Sequence, residues 1–260
     1  MSRSLRRRPS PPVEILDSGD RAILAPQWIP DTRFGAWLLS THAWRRHVIQ
    51  VALADLLRLL GDRSRPYPTV LDVGCGTGRA LPLLDRLFRP RLLVGVDPDS
   101  AAIERASHEA ERCRCRVQLR LGVATSLGLD DTSVDMIFCH QTFHHLADPD
   151  GAARELYRVL RPGGVLLFAE SCAPFIRSLR VRLLFRHPLH AQKTVDEYLG
   201  LLRASGFELA HGAVSTPYPW WSRYDFGLLE WLGRPAAATH AETTVNLVAY
   251  RDHQPQSHTQ

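Results

Sequence analysis

Between residues 67 and 170 the sequence alternates short apolar runs with amphipathic stretches at helical spacing. Such alternation is typical of folds in which each strand of a parallel sheet is followed by a helix packed on the sheet. The pattern predicts strands at 69–73, 91–96, 116–121, 134–139 and 165–170, and helices at 78–88, 100–112 and 149–160. We therefore expect an α/β core over residues 67–170.

The flanking segments are predicted to belong to the same domain. Apolar residues at helical spacing indicate an N-terminal helical cap within residues 13–66. Residues 171–251 are expected to complete the domain with a helix at 195–205 and strands at 207–214 and 243–250. The remaining segments, residues 1–12 and 252–260, are predicted to be disordered tails.

The formal charge of +5 does not indicate a nucleic-acid partner. Four of the positive charges are arginines within residues 1–12, which leaves +1 for the rest of the chain. A body this close to neutrality offers no extended basic surface to a polyanion. We therefore expect no specific nucleic-acid binding.

Targeting and cysteine patterns favour a cytoplasmic protein. The N-terminal arginines are followed by Pro9, Pro11 and Pro12 rather than by the apolar core of a signal peptide, and no run of about 18 apolar residues occurs. The five cysteines lack the paired spacing of a disulfide framework or a zinc site. The sequence thus predicts a cytoplasmic chain without a bound metal.

Three alternate glycines, Gly74, Gly76 and Gly78, occupy the first predicted strand–helix turn. In an open parallel sheet, ligands bind beyond the carboxyl ends of the strands, and this turn is usually part of the site. Glycine permits positive φ and a close approach of the backbone to a ligand. The turn is therefore a candidate binding loop, although a simple tight turn is the alternative.

The residues around this turn argue against a phosphate ligand. A dinucleotide fingerprint requires a glycine where Arg79 stands, and no Gly-Lys-Ser/Thr sequence follows as in a phosphate-binding P-loop. Instead, Asp72 precedes the turn and Asp97 ends the next predicted strand. Two carboxylates suit a cationic ligand, and S-adenosylmethionine carries a sulfonium and an ammonium group.

The sequence resembles the class I S-adenosylmethionine-dependent methyltransferases, closely so their small-molecule branch with a methyltransferase type 11-like domain. The resemblance covers about residues 67–170 and consists of V-L-D-V-G-C-G-T-G at 70–78, V-G-V-D at 94–97, S-V-D at 133–135, H-H-L at 144–146 and E-L-Y-R-V-L-R-P-G-G at 155–164. It implies a Rossmann-like α/β fold with a seven-stranded, mostly parallel sheet, an antiparallel last strand and an insertion between the last strands. The implied cofactor is S-adenosyl-L-methionine.

The resemblance implies cofactor-binding roles at the glycine turn and the next strand. Asp72 and the backbone of Gly74, Gly76 and Gly78 would hold the methionine part of the cofactor. Asp97 would accept hydrogen bonds from both ribose hydroxyls. The alternative role of Asp97 is the N-cap of the following helix, for which Asp99 or Ser100 is also suited.

Further positions are implied around the adenine and the methionine ends of the cofactor. Pro98 would border the adenine, and the backbone at Val123 and Ala124 would face the ring. The family often has an acidic residue where Val123 stands, so one side-chain contact to the adenine amino group is missing. His140 is expected to line the methionine end.

His144 is the candidate general base. A histidine titrates near neutral pH and could take a proton from an oxygen or nitrogen acceptor. The alternative role of His144 is packing without acid–base function. Glu170, at the end of the last core strand, is predicted either to face the site or to end the strand in solvent.

Two segments are expected to shape the acceptor site. Residues 174–189 combine apolar side chains with arginines, a composition that fits a packed lid or a membrane-surface segment. Residues 217–232 are rich in aromatic side chains, which fits a lipophilic pocket or a homodimer interface. Trp220, Trp221 and Tyr224 are the candidate acceptor contacts.

The predicted activity is methyl transfer from S-adenosylmethionine to oxygen or carbon of a small, lipophilic or aromatic metabolite. Two alternatives stay open. One is a lipid or quinone methyltransferase at the membrane surface, which would add peripheral membrane contact. The other is a cofactor-binding regulatory or partner subunit without catalysis.

Overall fold

The computed structural model describes residues 13–17, 32, 35, 37–38, 41–61, 65–186, 191–225, 228–233 and 241–252. The predicted tail 1–12, and all but one residue of the predicted tail 252–260, lie outside the described residues. Within the segment predicted as the N-terminal helical cap, residues 18–31, 33–34, 36, 39–40 and 62–64 lie outside them as well.

Eight strands are present in the described part of the chain: β1 Val13–Asp17, β2 Thr69–Val73, β3 Leu92–Asp97, β4 Arg116–Leu121, β5 Val134–His140, β6 Leu160–Ser171, β7 Phe207–Ser215 and β8 Thr244–Arg251. The helices are α1, made of His42–Trp44, a π-helical turn Arg45–Ile49 and Gln50–Leu60, then α2 Leu81–Phe88, α3 Ser100–Ala110, α4 Pro149–Val159, α5 Ala173–Ile176, α6 Leu179–Leu184, α7 Val195–Ala204 and α8 Leu228–Trp231. Two 3₁₀ turns span Phe143–His145 and Trp220–Ser222.

The strands form one mixed sheet in the order β1-β4-β3-β2-β5-β6-β8-β7. All neighbouring pairs are parallel except those of β8, which runs antiparallel to β6 and β7. The predicted Rossmann-like α/β class and the antiparallel last strand are thereby confirmed. Strand order reverses beside β2, which has β3 on one side and β5 on the other, so the carboxyl end of β2 is the expected ligand position.

The sheet has one strand more than predicted, because β1 lies in the segment assigned to the helical cap. It pairs with β4, and Glu14 accepts hydrogen bonds from Arg116 and Gln118 across the pair. Without β1, β4 would present an open edge. A five-residue run that pairs about a hundred residues away gives little local signal, which is why the sequence pattern did not predict it.

The sheet is covered on both faces. Helices α1, α2 and α3 pack on one face through residues such as Leu56, Leu84 and Ile103. Helices α4 and α7 pack on the other through residues such as Leu156 and Leu202. Burial on both faces explains the nearly continuous apolar runs of the central strands.

Candidate active site

The glycine turn has three glycines at positive φ, and they are required for two different reasons. A Cβ on Gly74 would lie 2.2 Å from the side-chain oxygen of Thr142, and one on Gly78 would lie 2.9 Å from the Cα of Ala106. These two positions are required by packing within the protein. A Cβ on Gly76 would meet nothing within 4 Å, and Gly76 lines a cavity, so this position keeps space for a ligand.

Asp97 fastens the glycine turn to the end of β3. Its Oδ2 accepts a hydrogen bond from the Gly76 N–H at 2.8 Å, and its Oδ1 accepts one from the Asp99 N–H at 2.9 Å. The N-cap of α3 is Asp99, whose side chain accepts from the Ala101 N–H. Each oxygen of Asp97 keeps a second lone pair, so the carboxylate can still accept from a ligand.

Asp72 is a buried carboxyl group beside the same turn. Its Oδ2 has no hydrogen-bond partner among the described residues. Burial raises the pKa of Asp72 to about 8, and the nearby Asp97 adds to the rise. Burial also raises the pKa of Asp97, to about 6. Two crowded buried carboxyls, one of them without a partner, fit a cationic ligand, because a positive charge would relieve both penalties.

These residues surround a first cavity of about 270 Å³ at the carboxyl end of β2. Nearly all the predicted cofactor-binding residues line it: Asp72, Gly74, Gly76, Asp97, Pro98, Val123, Ala124 and His140. Gly78 is the exception, because it packs against Ala106 instead of facing the cavity. The cavity lies where the strand order reverses, as expected for this sheet.

His140 lies at the end of β5 and contributes a neutral ring to the first cavity. The ring is stacked on Phe138, with centroids 5.8 Å apart and planes 6° apart. Burial lowers the pKa of His140 to about 3, and the neighbouring His144 contributes to the decrease. An uncharged ring at this position does not repel a cation in the cavity.

His144 is held by Glu170 rather than exposed to the first cavity. Its Nδ1 lies 2.8 Å from Oε2 of Glu170, so Nδ1 carries the proton that the carboxylate accepts. Oε1 of Glu170 accepts from the backbone N–H groups of Thr142 and Phe143 at 2.5 and 2.8 Å. Glu170 is completely buried, so the prediction that it could end the strand in solvent is wrong. With the proton on Nδ1, Nε2 is the basic nitrogen of the neutral His144 ring.

His144 lines a second cavity of about 220 Å³. Apolar side chains from α5, α6 and the 3₁₀ turn Trp220–Ser222 form most of its wall, including Phe175, Ile176, Val181, Trp220 and Trp221. Tyr224, predicted beside the tryptophans, does not line it. The walls come from both segments that were predicted to shape an acceptor site.

Trp44, Gln141 and His145 line both cavities, so the two spaces adjoin. Gln141 has φ 55°, which is unusual for a residue with a side chain, and its Oε1 accepts from the Ser171 hydroxyl at 2.6 Å. The sequence interpretation did not include these three residues in the site. The only signal for Gln141 was its place between His140 and His144, directly after a strand.

Comparison with known proteins bears out the resemblance for the region that holds the first cavity. Residues 71–168 match the family model described as a methyltransferase domain. The predicted class I S-adenosylmethionine-dependent methyltransferase domain is thereby confirmed for this region. S-adenosylmethionine is accordingly the cofactor implied for the first cavity.

Relatives of this methyltransferase chain have different acceptors. It is 35% identical over 161 residues to malonyl-[acyl-carrier protein] O-methyltransferase 1 of Coxiella burnetii, a match covering 60% of this chain and 54% of the relative. It is 29% identical to the ubiquinone biosynthesis O-methyltransferase of Maricaulis maris, covering 62% of this chain and 63% of the relative. The chain thus spans little more than half the length of these relatives.

A solved structure supports the methyltransferase fold over most of the chain. A Haloferax volcanii methyltransferase, solved in complex with a methyltransferase activator, superposes with a TM-score of 0.65 at 20% identity. The match covers 86% of this chain and 97% of that one. At this identity the likeness concerns the fold alone.

We expect Asp72→Asn to stabilise the cofactor-free methyltransferase while weakening cofactor binding. The raised pKa means that Asp72 favours folding while protonated, and that this contribution is lost as pH rises from the ordinary pKa of 3.8 through about 8. The gain in free energy of unfolding on substitution should therefore grow over this range, to about 1–3 kcal/mol above pH 8. Urea denaturation without cofactor at pH 5, 6.5 and 8.5 measures it.

The matched control is Asp130→Asn, which changes an exposed carboxylate. Its effect on the free energy of unfolding should be small and nearly independent of pH. A gain for Asp72→Asn that is the same at all three pH values would contradict the buried, protonated carboxyl.

Proposed function

We propose that the protein transfers a methyl group from S-adenosylmethionine to an oxygen or carbon of a small lipophilic or aromatic molecule bound in the second cavity. The observation that carries this proposal is the shared wall formed by Trp44, Gln141 and His145. A cofactor in the first cavity and an acceptor in the second would meet along that wall. In-line transfer needs this kind of adjacency.

The chemistry of the second cavity supports an acceptor with a flat apolar part. The ring centroid of Trp221 lies 6.2 Å from that of Trp44, with tilted planes, and 5.4 Å from that of Phe175, which it meets edge-on. Such aromatic walls favour rings and apolar chains over charged groups. Arg180 donates to the backbone carbonyls of Arg223 and Tyr224 and thereby joins the two segments that form the cavity.

The chain's own residues have three tasks in this mechanism. Bound S-adenosylmethionine would supply a methyl group that is already activated by its sulfonium leaving group. Asp72 and Asp97 would hold the cation and the ribose, while Gly76 leaves room for them. The aromatic walls of the second cavity would exclude water and orient the acceptor.

His144 would act as the base where the acceptor carries a hydroxyl group. Glu170 keeps the proton on Nδ1, so Nε2 of the neutral ring would accept the hydroxyl proton, and the carboxylate would stabilise the resulting imidazolium. A carbon acceptor on an electron-rich ring would use the same base after methylation, to remove the ring proton.

The test is an incubation of the purified protein with methyl-labelled cofactor and a panel of phenols, quinols and free fatty acids. The expected result is labelled product from at least one lipophilic acceptor, with an equal amount of S-adenosylhomocysteine. Tight cofactor binding without turnover, either on this panel or on extracts fractionated by polarity, would favour a non-catalytic regulatory subunit instead.

We expect Trp221→Ala to lower kcat/KM for the acceptor about tenfold or more, because it removes one well-packed aromatic contact. The Kd of the cofactor should change less than about twofold, since Trp221 lines only the second cavity. The matched control is Trp231→Ala, because Trp231 is 81% exposed and lines neither cavity. Unchanged acceptor kinetics in a folded Trp221→Ala variant would remove the second cavity from the proposal.

A further inference from the structure

The segment between β6 and α7 is strongly basic. Residues 171–195 contain Arg177, Arg180, Arg182, Arg186 and Lys193 and no acidic residue. Arg177, Arg182 and Arg186 are exposed. This concentration of cations contrasts with the remainder of residues 13–260, whose net charge is −4, and a surface of one sign is attracted to a surface of the opposite sign.

Helix α6 within this segment has apolar residues on both of its sides. Val181 and Leu184 line the second cavity. Leu179 and Leu183, one turn apart, point the other way and are 72% and 75% exposed. The cavity accounts for Val181 and Leu184 on one side of the helix, but it does not account for the exposed pair Leu179 and Leu183 on the opposite side.

The neighbouring aromatic segment adds one exposed ring near α6. Arg180 binds the carbonyls of Arg223 and Tyr224, which places Tyr224 beside α6. Tyr224 is 68% exposed. We call the surface formed by Leu179, Leu183, Tyr224, Arg177, Arg182 and Arg186 the basic apolar face.

We propose that the basic apolar face docks the protein on an anionic lipid bilayer, with Leu179 and Leu183 inserted among the acyl chains and the arginines on the headgroups. An interfacial segment combines these two features: apolar side chains that enter the boundary region and cations that bind anionic lipids. None of the helices in the described ranges is long and apolar enough to cross a bilayer, so this contact is peripheral.

The charge of the face favours a bilayer over a second copy of the chain. A two-fold dimer through this face would bring the same arginines from both copies against each other. No acidic residue lies within 171–195, although Glu197, two residues beyond it, interacts electrostatically with Arg177. An anionic lipid surface instead neutralises every exposed arginine.

Docking on this face would also place the second cavity at the membrane. The inner side of α6 lines the cavity while its outer side meets the lipid, so a membrane-dissolved acceptor would have a short path into the protein. This consequence rests on the proposed function, but docking itself does not, and it is measured without turnover.

The test is flotation of the full chain with vesicles of phosphatidylcholine alone and of phosphatidylcholine with about one third phosphatidylglycerol. We expect flotation with the anionic vesicles, several-fold less with the neutral ones, and a decrease as salt rises from 0.1 to 0.5 M. The variant Leu179→Ser/Leu183→Ser should float at least fivefold less. The matched control is Arg86→Gln/Leu87→Ser on α2, which changes an exposed arginine and a partly exposed leucine elsewhere and should float like the wild type.

Several outcomes would overturn the proposal. They are absence of wild-type flotation, equal flotation with both vesicle types, and equal flotation of the leucine variant. A dimer in sedimentation that only the leucine variant dissociates, without flotation, would assign the face to self-association. Retained melting temperature shows that each variant is folded, and methyl transfer to a water-soluble acceptor separates loss of docking from failure of the proposed function.

Discussion

Replacing Glu170 with alanine should lower the free energy of unfolding by about 3–5 kcal/mol, because it removes the acceptor of three buried hydrogen bonds at once. The backbone N–H groups of Thr142 and Phe143 would lose their partner, and His144 would lose the group that fixes its proton. Denaturant unfolding followed by circular dichroism measures the loss. A loss under about 1 kcal/mol would contradict this role of Glu170.

Glu170→Gln separates the structural role of Glu170 from its effect on His144. An amide oxygen can still accept from both backbone groups, so most of the stability should be kept. The amide nitrogen would then face Nδ1 of His144 and favour the tautomer protonated on Nε2, which cannot accept a proton from an acceptor hydroxyl. We therefore expect a large loss of kcat on a phenol with little change in KM. The control Glu208→Gln changes an exposed carboxylate and should alter neither property.

Replacing Asp97 with alanine should weaken cofactor binding by about 2–3 kcal/mol, which is about 30- to 150-fold in Kd. The ribose would lose a charged acceptor, and the glycine turn would lose the bond from Gly76 that shapes it. Calorimetry with S-adenosylhomocysteine measures the change without turnover.

Asp85→Ala is the matched control for this prediction. Asp85 is also buried and accepts from two backbone N–H groups, those of Arg114 and Cys115, but it does not line the first cavity. It should lower stability and leave the cofactor Kd nearly unchanged. Equal Kd values for folded Asp97→Ala and wild type would remove Asp97 from the cofactor site.

The cofactor half of the site could be predicted because its residues are local in sequence. Asp72 and the glycines follow one buried strand, Asp97 ends the next, and the sheet brings both ends together. The sequence pattern could not predict the role of Gly78. A glycine required for packing, here against Ala106, cannot be distinguished in the sequence from a glycine that makes room for a ligand. Strand β1 could not be predicted either, because the strand that it pairs with, β4, is about a hundred residues away in the sequence.

The second cavity, which we propose as the acceptor site, could be predicted only as segments. Its walls come from α1, α5, α6 and the turn Trp220–Ser222, whose meeting depends on tertiary contacts such as the Trp44–Trp221 pair. Glu170 is buried with hydrogen bonds to residues about 28 positions earlier in the chain. A local sequence pattern could not predict such distant partners. Gln141 has its positive φ in the turn that follows β5. The residue type alone therefore could not predict that Gln141 lines both cavities.

The sequence segments that supply the walls of the second cavity bear on how a protein of this kind could come to bind other substrates. Of its lining residues, Gln141, His144 and His145 lie within the matched methyltransferase region, whereas most of the others come from segments before or after it. If the second cavity holds the acceptor as we propose, exchanging α5, α6 and the Trp220–Ser222 turn for those of another protein would alter the choice of acceptor and leave the first cavity unchanged. Such a modular arrangement lets new substrate ranges arise, in nature or in the laboratory, by grafting peripheral segments onto an unchanged catalytic sheet.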